Sequence, residues 1–142
     1  MIRPAVYDDL PAMAELEASE AMGSQWRLAQ LEEELQRTHA QVLVAVSNDN
    51  FLGHAIAWLI AEELEIMTIA VCPQYRRKGI GQALLSHLLN LPHRRSLLEL
   101  RAQNHSAHAF YTSVDFQAVG LRKAYYRNGD DAVLMERQNG VP

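Results

Sequence analysis

Residues 76–81 read Arg-Arg-Lys-Gly-Ile-Gly, three cations running into two glycines. The run lies between an apolar stretch ending at Val71 and a helical pattern carrying Ala83, Leu84, Leu88 and Leu91 on one side. First-turn amides of a helix have no intrahelical partner and sit at the positive end of the dipole, so an anion fits there. Glycines at 79 and 81 let the backbone approach a pyrophosphate closely. The spacing matches neither G-x-G-x-x-G nor G-x-x-x-x-G-K-[ST], which disfavours a dinucleotide or ATP. The same hexapeptide also suits a solvated loop, and these residues alone leave both readings open.

Two more side chains could move protons. Glu99 stands in Leu97-Leu98-Glu99-Leu100-Arg101. Strand alternation puts it on one face with Leu97 and Arg101, while Leu98 and Leu100 point the other way. Taken alone, it reads as the water-facing residue of a half-exposed strand. Tyr111 shares a helical pattern with Ala107, Phe110 and Val114, and taken alone it reads as packing with its phenol at the surface. Cys72 is the single cysteine and precedes Pro73 with no adjacent histidine, which fits a small buried hydrophobe rather than a nucleophile. His105 and His108 are three apart, but no acidic or Cys ligand stands at a metal spacing, so no metal is expected.

The elements that must hold these groups follow from periodicity and punctuation. Asp8 or Asp9 caps a helix whose apolar positions are Leu10, Met13 and Leu16, with Pro11 in its first turn, and a second helix covers 28–37. Residues 41–46 and 51–59 read as a hairpin around Ser47-Asn48-Asp49-Asn50, and 65–71 as the next strand. Pro73 stops that strand, Gly79 opens a helix, and Pro92 ends it. A strand over 97–101, a helix over 106–114 and two strands over 116–121 and 132–136 complete the order. This is a single α+β domain over 1–142, with a mixed sheet and helices covering its two faces. Fold alone gives no function.

Residues 69–85, Ile-Ala-Val-Cys-Pro-Gln-Tyr-Arg-Arg-Lys-Gly-Ile-Gly-Gln-Ala-Leu-Leu, resemble the signature of the GNAT superfamily of N-acetyltransferases, which contains R-x-x-G-x-G/A. The resemblance implies a mixed, mostly antiparallel sheet and acetyl-CoA as cosubstrate. By resemblance the preceding strand pairs with pantetheine through Ile69 and Val71. The loop from Arg77 through Lys78, Gly79, Ile80, Gly81 and Gln82 then holds the pyrophosphate.

Residues 98–116, L-E-L-R-A-Q-N-H-S-A-H-A-F-Y-T-S-V-D-F, are similar without a gap to L-E-V-R-x-x-N-x-x-A-x-x-L-Y-x-x-x-G-F of the ribosomal-protein alanine acetyltransferases. The resemblance implies Glu99 as general base, directly or through water, Asn104 as a contact to the pantetheine arm, and Tyr111 as general acid facing the thiolate. Acetyl transfer to an amine needs those roles together with an oxyanion site, here expected from backbone amides. At pH 7 a peptide α-amine costs about 1 kcal/mol to deprotonate and a lysine amine nearer 5, and a base helps both. Asp115 replaces the family glycine at a turn where a left-handed conformation is expected.

Arg122-Lys123-Ala124-Tyr125-Tyr126 resembles the R-x-x-Y-Y segment of enzymes acting on protein N-termini, which implies that Tyr125 and Tyr126 help enclose the acceptor. Trp26 occupies the place of the tryptophan in the family's Pro-Trp-Ser, with Gln25 and Arg27 as departures. The resemblance runs over most of 2–136 and implies a ribosomal protein's N-terminal alanine as acceptor. A small-molecule amine, a lysine side chain, or a noncatalytic acetyl-CoA-binding module are the alternatives.

Bulk properties agree with this direction. A net charge of −4 argues against nonspecific nucleic-acid binding and suits a cationic substrate. No apolar run reaches the roughly 20 residues of a membrane span. With no signal-peptide pattern at the start and one cysteine, a cytoplasmic enzyme without a membrane or nucleic-acid partner is expected.

Overall fold

A computed structural model describes residues 1–139. Seven strands form one sheet in the order β1-β2-β3-β4-β5-β7-β6. They are β1 (Ile2–Pro4), β2 (Ala40–Ser47), β3 (Asn50–Ile60), β4 (Glu63–Val71), β5 (Arg95–Arg101), β6 (Gln117–Arg122) and β7 (Ala132–Gln138). Every pairing is antiparallel except β4 with β5. The helices are α1 (Leu10–Ser19), α2 (Leu28–Gln36), α3 (Ile80–Leu89) and α4 (His105–Thr112).

The sheet separates two apolar cores. On one face α1 and α2 bury Leu10, Met13 and Leu31 against Val42, Val44 and Ile56. On the other, Leu84, Leu85 and Leu88 of α3 join Leu64, Ile66, Leu98, Leu100, Tyr111 and Phe116. Period-two alternation along each strand feeds both cores from one sheet. In β5 this leaves Glu99 opposite in direction to Leu98 and Leu100.

Some local details depart from the sequence expectations. The chain begins with a short strand whose partner is β2, which three residues ending in proline do not announce. Asp9 does not cap α1 with its side chain. It accepts two bonds from Arg3, at 2.8 and 3.0 Å, and one from Val6 N at 2.7 Å, so it ties β1 to a 3-10 turn over Tyr7–Asp9. Phe116 packs into the core instead of opening β6. Asp115 has φ +74°, the left-handed backbone expected where the family has glycine.

β4 and β5 pair only from Glu63↔Arg95 to Ile66↔Leu98. Beyond that point Met67 has no Cα partner on β3, because the β3–β4 register shifts between Ile56 and Ala57. A bulge adds twist and bends a strand, and the two parallel strands separate immediately after this one.

Candidate active site

The gap between the separating strands is the cleft. Ile66 through Ile69 line one wall, Leu98 through Arg101 the other, and Asn104, Ala107 and Tyr111 come from α4. Residues 22–24, in the connection between α1 and α2, and Tyr126 close one side.

The exposed edge of β4 follows from its ladder. Cys72 N donates to Leu52 O at 2.9 Å, which makes alternate residues 72, 70 and 68 face β3. The peptide groups of Ile69 and Val71 therefore point into the gap. Arg76 Nε takes the Val71 carbonyl at 3.1 Å, leaving the Ile69 amide and carbonyl and the Val71 amide open.

At the head of α3, Gly79 is the N-cap with φ +81° and no capping side chain. Arg77 also has positive φ, at +64°. A Cβ at Gly79 would meet nothing within 4 Å, so conformation rather than space calls for glycine there. Among the described residues, the amides of 77–82 donate to no backbone or side-chain oxygen. A run of unpartnered N–H groups at a helix start is a fit for a diphosphate. Arg77 and Lys78 are exposed beside it. Arg76 is turned away, bound to Glu20 at 2.6 Å, so two of the three expected cations remain at the loop.

Glu99 and Tyr111 reach the gap from opposite faces of the sheet. Glu99 is partly open to solvent and stands 3.5 Å from Arg122 Nη1. The Tyr111 side chain is buried against Phe110 and Phe116, with ring centroids 5.1 and 5.3 Å away. Its hydroxyl borders the cleft without a protein hydrogen bond, and burial pushes the phenol well above its ordinary range. A group so placed holds its proton until a strong base forms beside it. Asn104 caps α4, its Oδ1 accepting from Ala107 N at 3.2 Å, which leaves its NH2 for the cleft.

After β6, Tyr126 faces the cleft and Tyr125 is about half exposed, the two rings meeting edge to face at 5.2 Å. Trp26 does not border the cleft; it packs on the α1–α2 core, and its amide bonds Glu17 Oε1 at 3.3 Å. Several contributors escaped the sequence reading. Arg101 and Thr68 border the cleft, and Glu17 and His54 are buried behind Thr68. A lone Glu in a short helix and a lone His in an apolar strand carry no motif. Their only signal is a polar residue on a core-facing position.

The model of the acetyltransferase (GNAT) family matches residues 5–116. The chain belongs to that family. This GNAT protein is 39% identical to the N-alpha-acetyltransferase RimI of Mycobacterium tuberculosis over 94% of its own length and 89% of the relative's. It is 30% identical to a putative ribosomal protein bS18-alanine N-acetyltransferase of Bacillus subtilis, covering 94% and 92%. The crystal structure of the ribosomal-protein-S18-alanine N-acetyltransferase from Escherichia coli superposes with a TM-score of 0.88 at 28% identity, covering 100% of this chain and 95% of that one. The GNAT protein is thus an acetyl-CoA-dependent N-acetyltransferase. Among its described residues no three His, Cys, Asp or Glu side chains cluster as a metal site, and no helix is long and apolar enough to cross a membrane.

Proposed function

We propose that this enzyme acetylates the N-terminal α-amine of a protein, with the alanine of ribosomal protein bS18 as its acceptor, in the cytoplasm. The single observation that supports this most is a cleft with its carboxylate and its phenol on opposite faces of one strand gap, beside a loop of unpartnered amides. Relatives named as bS18-alanine N-acetyltransferases support the choice of acceptor.

Acetyl-CoA supplies the thioester carbonyl to be attacked. The amides of Arg77, Lys78, Gly79, Ile80, Gly81 and Gln82 hold its diphosphate, and Ile69 and Val71 pair with the amide groups of its pantetheine arm. Asn104 donates to that arm through its NH2. Glu99, directly or through water, takes the proton from the incoming ammonium. The Met67 amide, at the bulge where β4 has no Cα partner on β3, donates to the thioester oxygen as negative charge gathers there. Tyr111 gives its proton to the departing thiolate. Tyr125 and Tyr126 enclose the peptide end, while Trp26 holds the α1–α2 connection from behind.

A panel of peptides with free N-terminal Ala, Ser or Met, their acetylated controls, a lysine-only peptide and a polyamine, read by coenzyme A release, tests this. Preference for free N-terminal alanine is expected. Turnover confined to the polyamine or the lysine side chain would assign a different acceptor, and no turnover with any amine would leave a binding module.

A further inference from the structure

The cleft wall at Thr68 rests on a buried polar cluster with no part in the chemistry above. Glu17 on α1 and His54 on β3 are 1% and 0% exposed. His54 Nε2 lies 2.7 Å from Glu17 Oε2, and Thr68 Oγ1 lies 2.9 Å from the same oxygen. Glu17 Oε1 accepts the Trp26 amide at 3.3 Å. Burying a carboxylate costs several kcal/mol, and a cluster that merely filled space would be made of apolar side chains instead.

Thr68 Oγ1 and the Trp26 amide both donate to Glu17, His54 Nε2 faces the same oxygen as Thr68, and an ionised carboxylate is acceptor-only. Burial, the largest influence, opposes ionisation, but the hydrogen bond and electrostatic attraction of His54, with the bonds from Thr68 and Trp26, together outweigh it and hold the carboxyl below its ordinary value. The single hydrogen of the Thr68 hydroxyl is therefore committed to Glu17. What Thr68 shows to the cleft is oxygen lone pairs, on the same side of the sheet as Glu99.

The same carboxylate fixes the segment that closes this side. Its bond to Trp26 N anchors the end of the connection holding residues 22–24, and Ser24 Oγ donates to Met67 O at 3.1 Å. One buried group thus sets both the polarity of the wall and the position of the flap facing it.

We infer that Thr68 Oγ1 is a hydrogen-bond acceptor for an N–H of the incoming primary ammonium, and that Glu17 is the positioning residue that keeps Thr68 in that role. The inference rests on the proposal that the acceptor is a primary amine. A primary ammonium has three hydrogens to place: Glu99 takes the one to be removed, and Thr68 orients another so that the lone pair, once freed, faces the thioester.

The test is steady-state kinetics with whichever free-amine acceptor the wild type turns over, alongside calorimetric affinity for coenzyme A. Thr68→Val keeps the shape and removes the oxygen. It should raise the acceptor KM about tenfold or more, the loss expected for a hydrogen bond to a charged group, with coenzyme A affinity unchanged. Thr68→Ser should restore the acceptor KM to within about twofold of wild type. Glu17→Gln should raise the acceptor KM in the same direction, and little further when combined with Thr68→Val, since both act through one oxygen. Should Glu17→Gln fail to fold, the Thr68 pair carries the test alone. An acceptor KM unchanged in Thr68→Val, or one that rises in step with lost coenzyme A affinity, overturns the inference. If the wild type acetylates no amine, the proposed function fails and takes this with it; if the wild type is active and Thr68→Val matches it, only the inference falls.

Discussion

The Arg101 guanidinium lies 4.0 Å from the centre of the Tyr126 ring. Its Nη1 also bonds Asn128 Oδ1 at 3.1 Å and Asp130 Oδ2 at 3.2 Å. A planar cation that stacks on one face and bonds along its edge is a role lysine cannot fill. Arg101 therefore carries the β6–β7 loop and sets the tyrosine that faces the cleft.

Arg101→Lys should release that loop. The acceptor KM is expected to rise several-fold while the affinity for coenzyme A, whose proposed contacts lie on β4, α3 and Asn104, stays the same. Separate titrations of the two substrates check this, and a parallel loss in both would show that Arg101 serves the fold generally.

Tyr111→Phe removes only a hydroxyl from a packed ring, so the core is kept. The rate of acetyl transfer should fall by roughly 10²-fold or more, as for loss of a positioned acid, with coenzyme A affinity retained. Because burial raises this phenol, the wild-type rate should show no alkaline fall from Tyr111 up to about pH 10, the ordinary tyrosine range. A pH–rate profile of both forms measures it.

The left-handed turn at Asp115 gives a stability prediction. Its φ of +74° strains any residue with a Cβ, and its side chain makes no hydrogen bond among the described residues. Asp115→Gly should stabilise the protein by about 0.5 to 1 kcal/mol, the relief of strain exceeding the added chain entropy of glycine. Denaturant unfolding of the two proteins decides it.

Acid should unfold the protein through Glu17 and Asp9. The hydrogen bonds and the electrostatic attraction of His54 described above hold Glu17 below 4.5 against its burial, and the Arg3 hydrogen bonds hold Asp9 below 3.8. A carboxyl lowered in the folded state stabilises it above the ordinary value, and that contribution disappears as pH falls through the folded one. The melting temperature should thus fall as pH drops below about 4.5. Glu17→Gln should melt lower at pH 7 and lose less on acidification; a curve merely parallel to wild type would contradict the assignment.

Much of the fold was legible because its signals are local. Alternation in 97–101 and the helical spacing of 80–89 each needed only a few neighbours, and Pro73 and Gly79 marked the ends of the elements that build the loop. The family motifs then brought Glu99 and Tyr111 to the cleft that the structure shows them lining. What stayed hidden depends on contacts distant in sequence. Arg76 looked like a third phosphate cation until Glu20, far away in the chain, was seen to hold it. Thr68 looked like an ordinary strand residue, because its meaning comes from Glu17 and His54 behind it. Trp26 carried a family resemblance to the acceptor side, yet it is half-buried against the α1–α2 core and its backbone does the anchoring.

The central claim is that amides at the start of α3 grip the diphosphate of coenzyme A, and calorimetric titration of coenzyme A into the wild type and Gly81→Glu tests it most directly. A Cβ at Gly81 would make only ordinary contacts, with Val71 Cγ2 at 3.6 Å and Phe110 Cζ at 3.9 Å, so the variant should fold and differ by a carboxylate facing the anion site. The account predicts saturable heat with one site in the wild type and none in folded Gly81→Glu. No heat with the wild type, or equal heat with both, would contradict it.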